Sequence, residues 1–190
     1  MAFSESKWNV LIPAKRDLNS FFDEIEIFSK YNFIYGNLDS DVSNVSKILI
    51  NWPEQLFDWK EPSNYQIEKL EKKLSEWRSK DIIIYYLLHN ERPHSGLTER
   101  YNKLYNLILS YSFTIVHFGF YSRDKYKGHY PDKNHVVIEH PLYIKSFDFY
   151  NKISVRKDLN IPTNKLVLFT PGKIRNDEER RLLLKAFNYI

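Results

Sequence analysis

Four short segments concentrate the side chains able to do chemistry: Asn51-Trp52-Pro53-Glu54, His89-Asn90-Glu91-Arg92-Pro93-His94, His117-Phe118-Gly119 and Glu139-His140-Pro141. Each directly follows a short apolar run. Imidazole, carboxylate and guanidinium groups can orient hydroxyls, shuttle protons or stabilise developing charge. Taken singly, His117 or His140 reads first as a hydrogen-bonded structural residue, and Trp52 before Pro53 equally as a stacked support for its loop. The 89–94 run is different. Six consecutive non-aliphatic residues after a buried stretch must face a crevice or solvent, so a functional role ranks ahead of a structural one there. His89 and His94 do not read as a metal pair, because Pro93 breaks the helical geometry such spacing needs. The chain has no cysteine, which excludes disulfides, thiolate metal sites and thiol catalysis. It also lacks a Gly-x-Ser-x-Gly elbow and any glycine-rich phosphate signature, so serine hydrolysis, hydride transfer and NTP hydrolysis lose their usual evidence.

The elements that must carry these segments follow from periodicity. Asn9 to Pro13, Phe33 to Tyr35, Lys47 to Ile50, Ile82 to Leu88, Phe113 to Val116 and His135 to Ile138 are apolar runs of strand length. Ile82 to Leu88 is too continuous for a half-exposed strand and predicts the centre of a parallel sheet. Leu18, Phe21, Phe22, Ile25 and Phe28 are spaced as one helical face. So are Ile67, Leu70, Leu74 and Trp77, introduced by Ser63 and Gln66 at capping-box spacing. A third helix begins near Thr98 and carries Tyr101, Leu104, Tyr105, Ile108 and Tyr111, and a shorter helical or irregular piece spans Ser122 to His129. Only a loop, Asn37 to Ser46, separates the second and third strands. Strand-helix alternation of this kind predicts an α/β fold, a Rossmann-like parallel sheet with helices on both faces. Ligands in such sheets collect beyond the carboxyl ends of the strands, where all four segments fall.

A length of 190 residues suffices for one such domain plus a remnant. The expected division is an N-terminal Rossmann-like domain over 1–142, a linker or helix over 143–164, and over 165–190 a strand (Leu166 to Phe169) and a helix (Leu183, Ala186, Phe187, Ile190) that open a truncated second domain. Hydrophobic residues make up 43% of the chain and aromatic ones 16%, with charges of both signs interspersed, which describes a folded protein. A net charge of +4 and a pI near 9.0 suit phosphate-bearing partners such as nucleotide sugars, nucleic acid or an anionic membrane surface. Mixed-sign runs such as Glu68 to Lys73 read as solvated helix faces, so nucleic-acid binding gains little support. No apolar stretch reaches the roughly 20 residues of a spanning helix, and residues 1–7 lack a signal-peptide core, so a cytoplasmic protein is expected. The basic-aromatic stretch Arg123 to Lys127 suggests peripheral association with an inner membrane.

Asn-Trp-Pro-Glu at 51–54, Leu88-His89-Asn90 with Pro93-His94, Ile138 to Pro141 with Tyr143, Arg156 with Leu159, and Gly172-Lys173-Ile174-Arg175 occur in an order that resembles bacterial glycosyltransferases of the GT-B type. More narrowly, they are similar to the retaining, family 4-like enzymes of surface-polysaccharide synthesis. The resemblance runs from about Asn51 to Ile190. It implies an acceptor-binding N-terminal domain facing a donor-binding C-terminal one, and sugar transfer from a nucleotide-sugar co-substrate to a glycan or lipid-linked acceptor with no metal or other cofactor.

The same resemblance implies roles by position. His89 matches the active-site histidine beside the transferred sugar. Trp52, Glu54, Asn90, Glu91, Arg92, His94 and His117 would shape the acceptor side, and Gly172, Lys173 and Arg175 the donor side, with Arg175 on the diphosphate. The chain departs from the family pattern directly afterwards. Asn176-Asp177-Glu178-Glu179 stands where a lysine and a glycine are usual, and carboxylates there would repel a diphosphate. A non-catalytic module that binds a glycan or a protein on a degenerate glycosyltransferase fold is therefore the alternative. A receiver-like or flavodoxin-like domain is poorly served, since no acidic cluster follows the first strand.

Overall fold

Parallel strands covered on both faces must be apolar on both faces, and the six strands found are those the apolar runs predict. The computed structural model describes residues 8–16, 21–93, 96–141, 143, 152–169, 174 and 176–188. Strands β1 (Asn9–Ile12), β2 (Asn32–Tyr35), β3 (Val45–Ile50), β4 (Ile83–Leu88), β5 (Thr114–His117) and β6 (Asn134–Val137) form one all-parallel sheet in the order β2-β1-β3-β4-β5-β6. Helices α1 (Phe21–Phe28), α2 (Asn64–Ser79), α3 (Glu99–Tyr111) and α4 (Phe120–His129) connect them. The protein is α/β and Rossmann-like.

Two cores follow from strand alternation. On one face Leu11, Ile48, Ile50, Ile84, Tyr86, Leu88 and Ile115 pack against Leu70, Leu74 and Trp77 of α2 and Tyr101, Leu104 and Ile108 of α3. On the other, Ile12, Leu87 and Val116 meet Phe21 and Phe22 of α1. The capping box at Ser63 is formed in both directions, Gln66 N–H to Ser63 Oγ at 3.3 Å and Ser63 N–H to Gln66 Oε1 at 2.8 Å. At the amino ends of the strands, Asn32 donates to Asn9 Oδ1 and Asn9 to the Asn44 carbonyl, both at 2.9 Å, which ties β2, β1 and β3 together.

Beyond the sheet, the contact pattern separates residues 148–190 from residues 1–147. Helix α5 (Lys152–Asp158) and helix α6 (Asp177–Phe187) belong to this second unit. Arg156 donates to the carbonyls of Pro162 and Lys165, closing the turn after α5. Residues 166–169, expected as a strand, pair with none in the described residues and are exposed. A feature not anticipated is a one-turn 3-10 helix, Pro53–Phe57, directly after β3.

Replacing Ser63 by alanine removes one half of the capping box and leaves a first-turn N–H of α2 without its partner. The expected loss is about 1 kcal/mol of global stability, read from urea unfolding, because α2 supplies much of the larger core.

Candidate functional site

His89 follows β4 at the carboxyl edge, and its position in the strand repeat decides its surroundings. It shares the parity of Leu87, so its ring enters the α1 face of the sheet. There it is enclosed by aromatic rings: Trp52 stacked at 4.6 Å and 24°, Phe118 at 4.5 Å, Phe21 at 4.8 Å edge-on, and His140 at 6.3 Å. Each wall comes from a different element. Trp52 precedes the 3-10 helix after β3, Phe118 follows β5, Phe21 opens α1 and His140 follows β6. His89 Nε2 is buried and has no hydrogen-bond partner. Burial, with a smaller contribution from the charge of His140, pushes the His89 pKa down from 6.5 to about 4. The imidazole is therefore neutral at physiological pH.

The neighbouring polar groups fall on both sides of this edge. Asn51, 3% exposed, leaves both atoms of its amide unpartnered at the end of β3. Glu54, also 3% exposed, turns to the opposite face, towards the Tyr105 hydroxyl. Burial, followed by the Glu54 charge, holds the Tyr105 pKa far above its ordinary range, and burial does the same for Tyr86 beside it. Glu91 is exposed and ion-paired with Lys125 at 2.6 Å, and Arg92 is exposed. Asn90 is half-buried and hydrogen-bonding or in contact with a neighbour. His94, Gly172, Lys173 and Arg175 lie outside the described residues.

His117 ends β5 with the parity of Ile115 and so faces away from His89. It is 0% exposed. Its Nδ1 lies 2.8 Å from Ser122 Oγ and its Nε2 3.0 Å from His135 Nδ1, while His135 Nε2 lies 2.9 Å from the Tyr130 carbonyl. A carbonyl only accepts, so neutral His135 carries its proton on Nε2. His117 then donates from Nε2, and Ser122 donates to His117 Nδ1. Both ring nitrogens are thereby occupied, and burial, followed by smaller electrostatic contributions from His135 and Arg123, pushes the His117 pKa down to about 4. The geometry places His117 in a structural relay that ties β5, β6 and α4 together, away from the acceptor-side cleft expected for it.

Sequence reasoning did not find Phe21, Phe118 or the part that Trp59 plays. Phe118 was adjacent to a singled-out histidine, and alternation alone puts it on the His89 face. Trp59 lies 5.8 Å from Trp52 at the end of the 3-10 helix, where Asp58 and Trp59 are consecutive left-handed residues with φ of 51° and 63°. The strand order reverses between β1 and β3, and the crevice at this reversal, rather than the end of β4 alone, is where open α/β sheets present ligands. Its lining includes Ala14, Lys15, Gln55, Asp58 and Trp59. A larger depression, about 530 Å³, opens on the other face between the 3-10 helix and α2, lined by Leu56, Phe57, Lys69 and Lys73, and contains no imidazole.

Among the described residues, no cluster of three or more histidine, aspartate or glutamate side chains is arranged to hold a metal ion. Among them also, no helix is long and apolar enough to cross a membrane. Of the basic-aromatic stretch on α4, Arg123 is paired with Asp124 at 2.6 Å and Lys125 with Glu91, which neutralises much of its charge. The chain matches no family model, no curated protein and no solved structure.

Two outcomes follow from this geometry. Between pH 6.5 and about 4 the unfolded chain binds protons at positions 89 and 117 that the folded chain does not. The contribution of these residues is thus fully present above pH 6.5 and is lost as pH falls toward 4. Each accounts for on the order of 1–3 kcal/mol. Ring resonances of His89 and His117 in a histidine NMR titration should remain those of neutral imidazole at pH 5; protonated rings at that pH would show that the cage and the relay do not persist in solution. At position 59, Trp59→Gly should be more stable than Trp59→Ala by about 1 kcal/mol in thermal unfolding, since glycine alone adopts the left-handed conformation without steric cost. The reverse order would mean that the backbone turn is absent.

Proposed function

We propose that this chain is the acceptor-side domain of a GT-B-type glycosyltransferase, transferring a sugar from a nucleotide-sugar donor to a hydroxyl of a glycan or lipid-linked acceptor. The observation that carries the reading is the neutral His89 imidazole, its Nε2 unpartnered inside an aromatic cage at the carboxyl edge of a parallel sheet. In the reaction the acceptor oxygen bonds to the anomeric carbon, the bond from that carbon to the diphosphate breaks with its electron pair, and the hydroxyl proton leaves with the departing group or solvent. An imidazole with a pKa near 4 is a weak base, so His89 acts by hydrogen-bonding a sugar hydroxyl and fixing its position, not by taking the proton outright. Trp52, Phe118 and Phe21 exclude water and hold the ring, which strengthens that hydrogen bond. The motif order from Asn51 to Arg175 supports the same reading, with Gly172, Lys173 and Arg175 meeting the donor.

A specific observation favours a second reading, a non-catalytic glycan- or protein-binding module. The N-terminus of α6, capped by Asn176, carries Asp177, Glu178 and Glu179 in its first turn. These carboxylates satisfy the helix dipole themselves and repel the diphosphate that a donor site would seat there.

In an assay of sugar transfer, His89→Ala should lower kcat by about 100-fold with little change in KM for the donor. Unchanged turnover would sink the catalytic assignment. Donor binding itself, measured by calorimetry across a nucleotide-sugar panel, separates the enzyme from the module: no binding of any member supports the module.

A further inference from the structure

At the strand-order reversal, Ala14, Lys15, Gln55, Asp58 and Trp59 line a depression of about 240 Å³ that the His89 cage does not use. One wall is the indole of Trp59, 53% exposed. Its backbone is left-handed, as is that of Asp58 before it, a conformation in which glycine meets no steric penalty and a bulky side chain does. The chain instead carries there the side chain with the broadest flat apolar face. Around that face the rim is polar and close at hand: Lys15 Nζ lies 3.4 Å from Asp58 Oδ1, both side chains largely exposed. An ammonium donor and a carboxylate acceptor side by side, next to an aromatic plane, complement a pyranose ring, which has an apolar C–H face and vicinal hydroxyls that both donate and accept. The depression is of the size of one such ring. Trp59 is also connected to the cage. It lies 5.8 Å from Trp52, which stacks on His89 at 4.6 Å, and these two distances bound the Trp59-to-His89 separation to a span that a disaccharide covers.

We propose that this depression is a sugar subsite, with Trp59 stacked on one pyranose ring of an oligosaccharide, Lys15 and Asp58 pairing with its hydroxyls, and the next ring reaching His89. The inference rests on the acceptor reading above and extends it: the acceptor is a neutral glycan of at least two linked rings, entering across the reversal between β1 and β3.

The test is a titration of the purified chain with maltotriose, cellotriose and chitotriose, and with glucose, followed by tryptophan emission and by calorimetry. At least one triose should bind saturably, with glucose weaker by about tenfold. Trp59→Gly, which relieves the backbone while removing the platform, should weaken that triose by about tenfold or more, and Trp59→Phe, which keeps a ring, by about fivefold or less. Asp58→Asn should weaken it as well. Absence of saturable binding by all three trioses, or binding undiminished in Trp59→Gly, overturns the proposal, and equal affinity for glucose overturns the two-ring span. The two levels fail separately. Triose binding through Trp59 with no transfer from any donor rejects the transferase and leaves the subsite, whereas transfer indifferent to Trp59→Gly rejects the subsite alone.

Discussion

The rest of the structure depends on the two-residue alternation of β4, a strand buried on both faces at the middle of the sheet. Because successive side chains point to opposite faces, Ile84, Tyr86 and Leu88 are committed to the core beneath α2 and α3, and Leu87 with His89 to the side covered by α1. A one-residue slip of register would exchange these sets, placing the His89 ring among the aliphatic side chains of the larger core and removing it from Trp52 and Phe118. The parallel neighbours β3 and β5 hold that register along the strand, Ile50 opposite Tyr86 and His117 opposite Leu88. The same alternation, one strand over, separates His117, the last residue of β5, from His89, the first residue after β4.

Desolvation at the carboxyl edge has two different outcomes in this molecule. At His117 it is compensated: Ser122, His135 and the Tyr130 carbonyl satisfy every ring nitrogen in a single consistent set of tautomers. At His89, Asn51 and the Glu54 side chain it is not, and each unpartnered buried polar atom costs about 1–3 kcal/mol. Structural polar groups are ordinarily paired, and the unpartnered atoms of Asn51 and His89 at the ends of β3 and β4 are hydrogen-bonding capacity that the fold itself does not use. The left-handed pair Asp58-Trp59 adds backbone strain at the end of the 3-10 helix that follows β3.

Much of the architecture was legible in the residues. Six apolar runs, the length of Ile82 to Leu88 and the Ser63–Gln66 spacing were enough to read an all-parallel sheet and the start of α2, because burial on both faces and capping act over a few residues and leave local patterns. The cleft was legible in part, since polar clusters directly after buried strands have few other places to point. What escaped reading was partnership at long range. Phe21 lies 68 positions before His89 in the sequence yet packs against it, and nothing in either local pattern couples them. Residues 166–169 show the converse: their apolar composition reads as a strand, and among the described residues no neighbour offers them a ladder.

The sequence by itself determined the strands, their parallel arrangement, the absence of cysteine chemistry and the presence of a histidine-rich carboxyl edge, all consequences of composition and short periodicity. Only the tertiary structure decided which histidine keeps a free nitrogen, which is closed into a relay, and that the crevice opens between β1 and β3 with Trp59 on its wall. Those outcomes depend on strand order and on which face each neighbouring helix covers, and both are set by the packing of segments far apart in the chain.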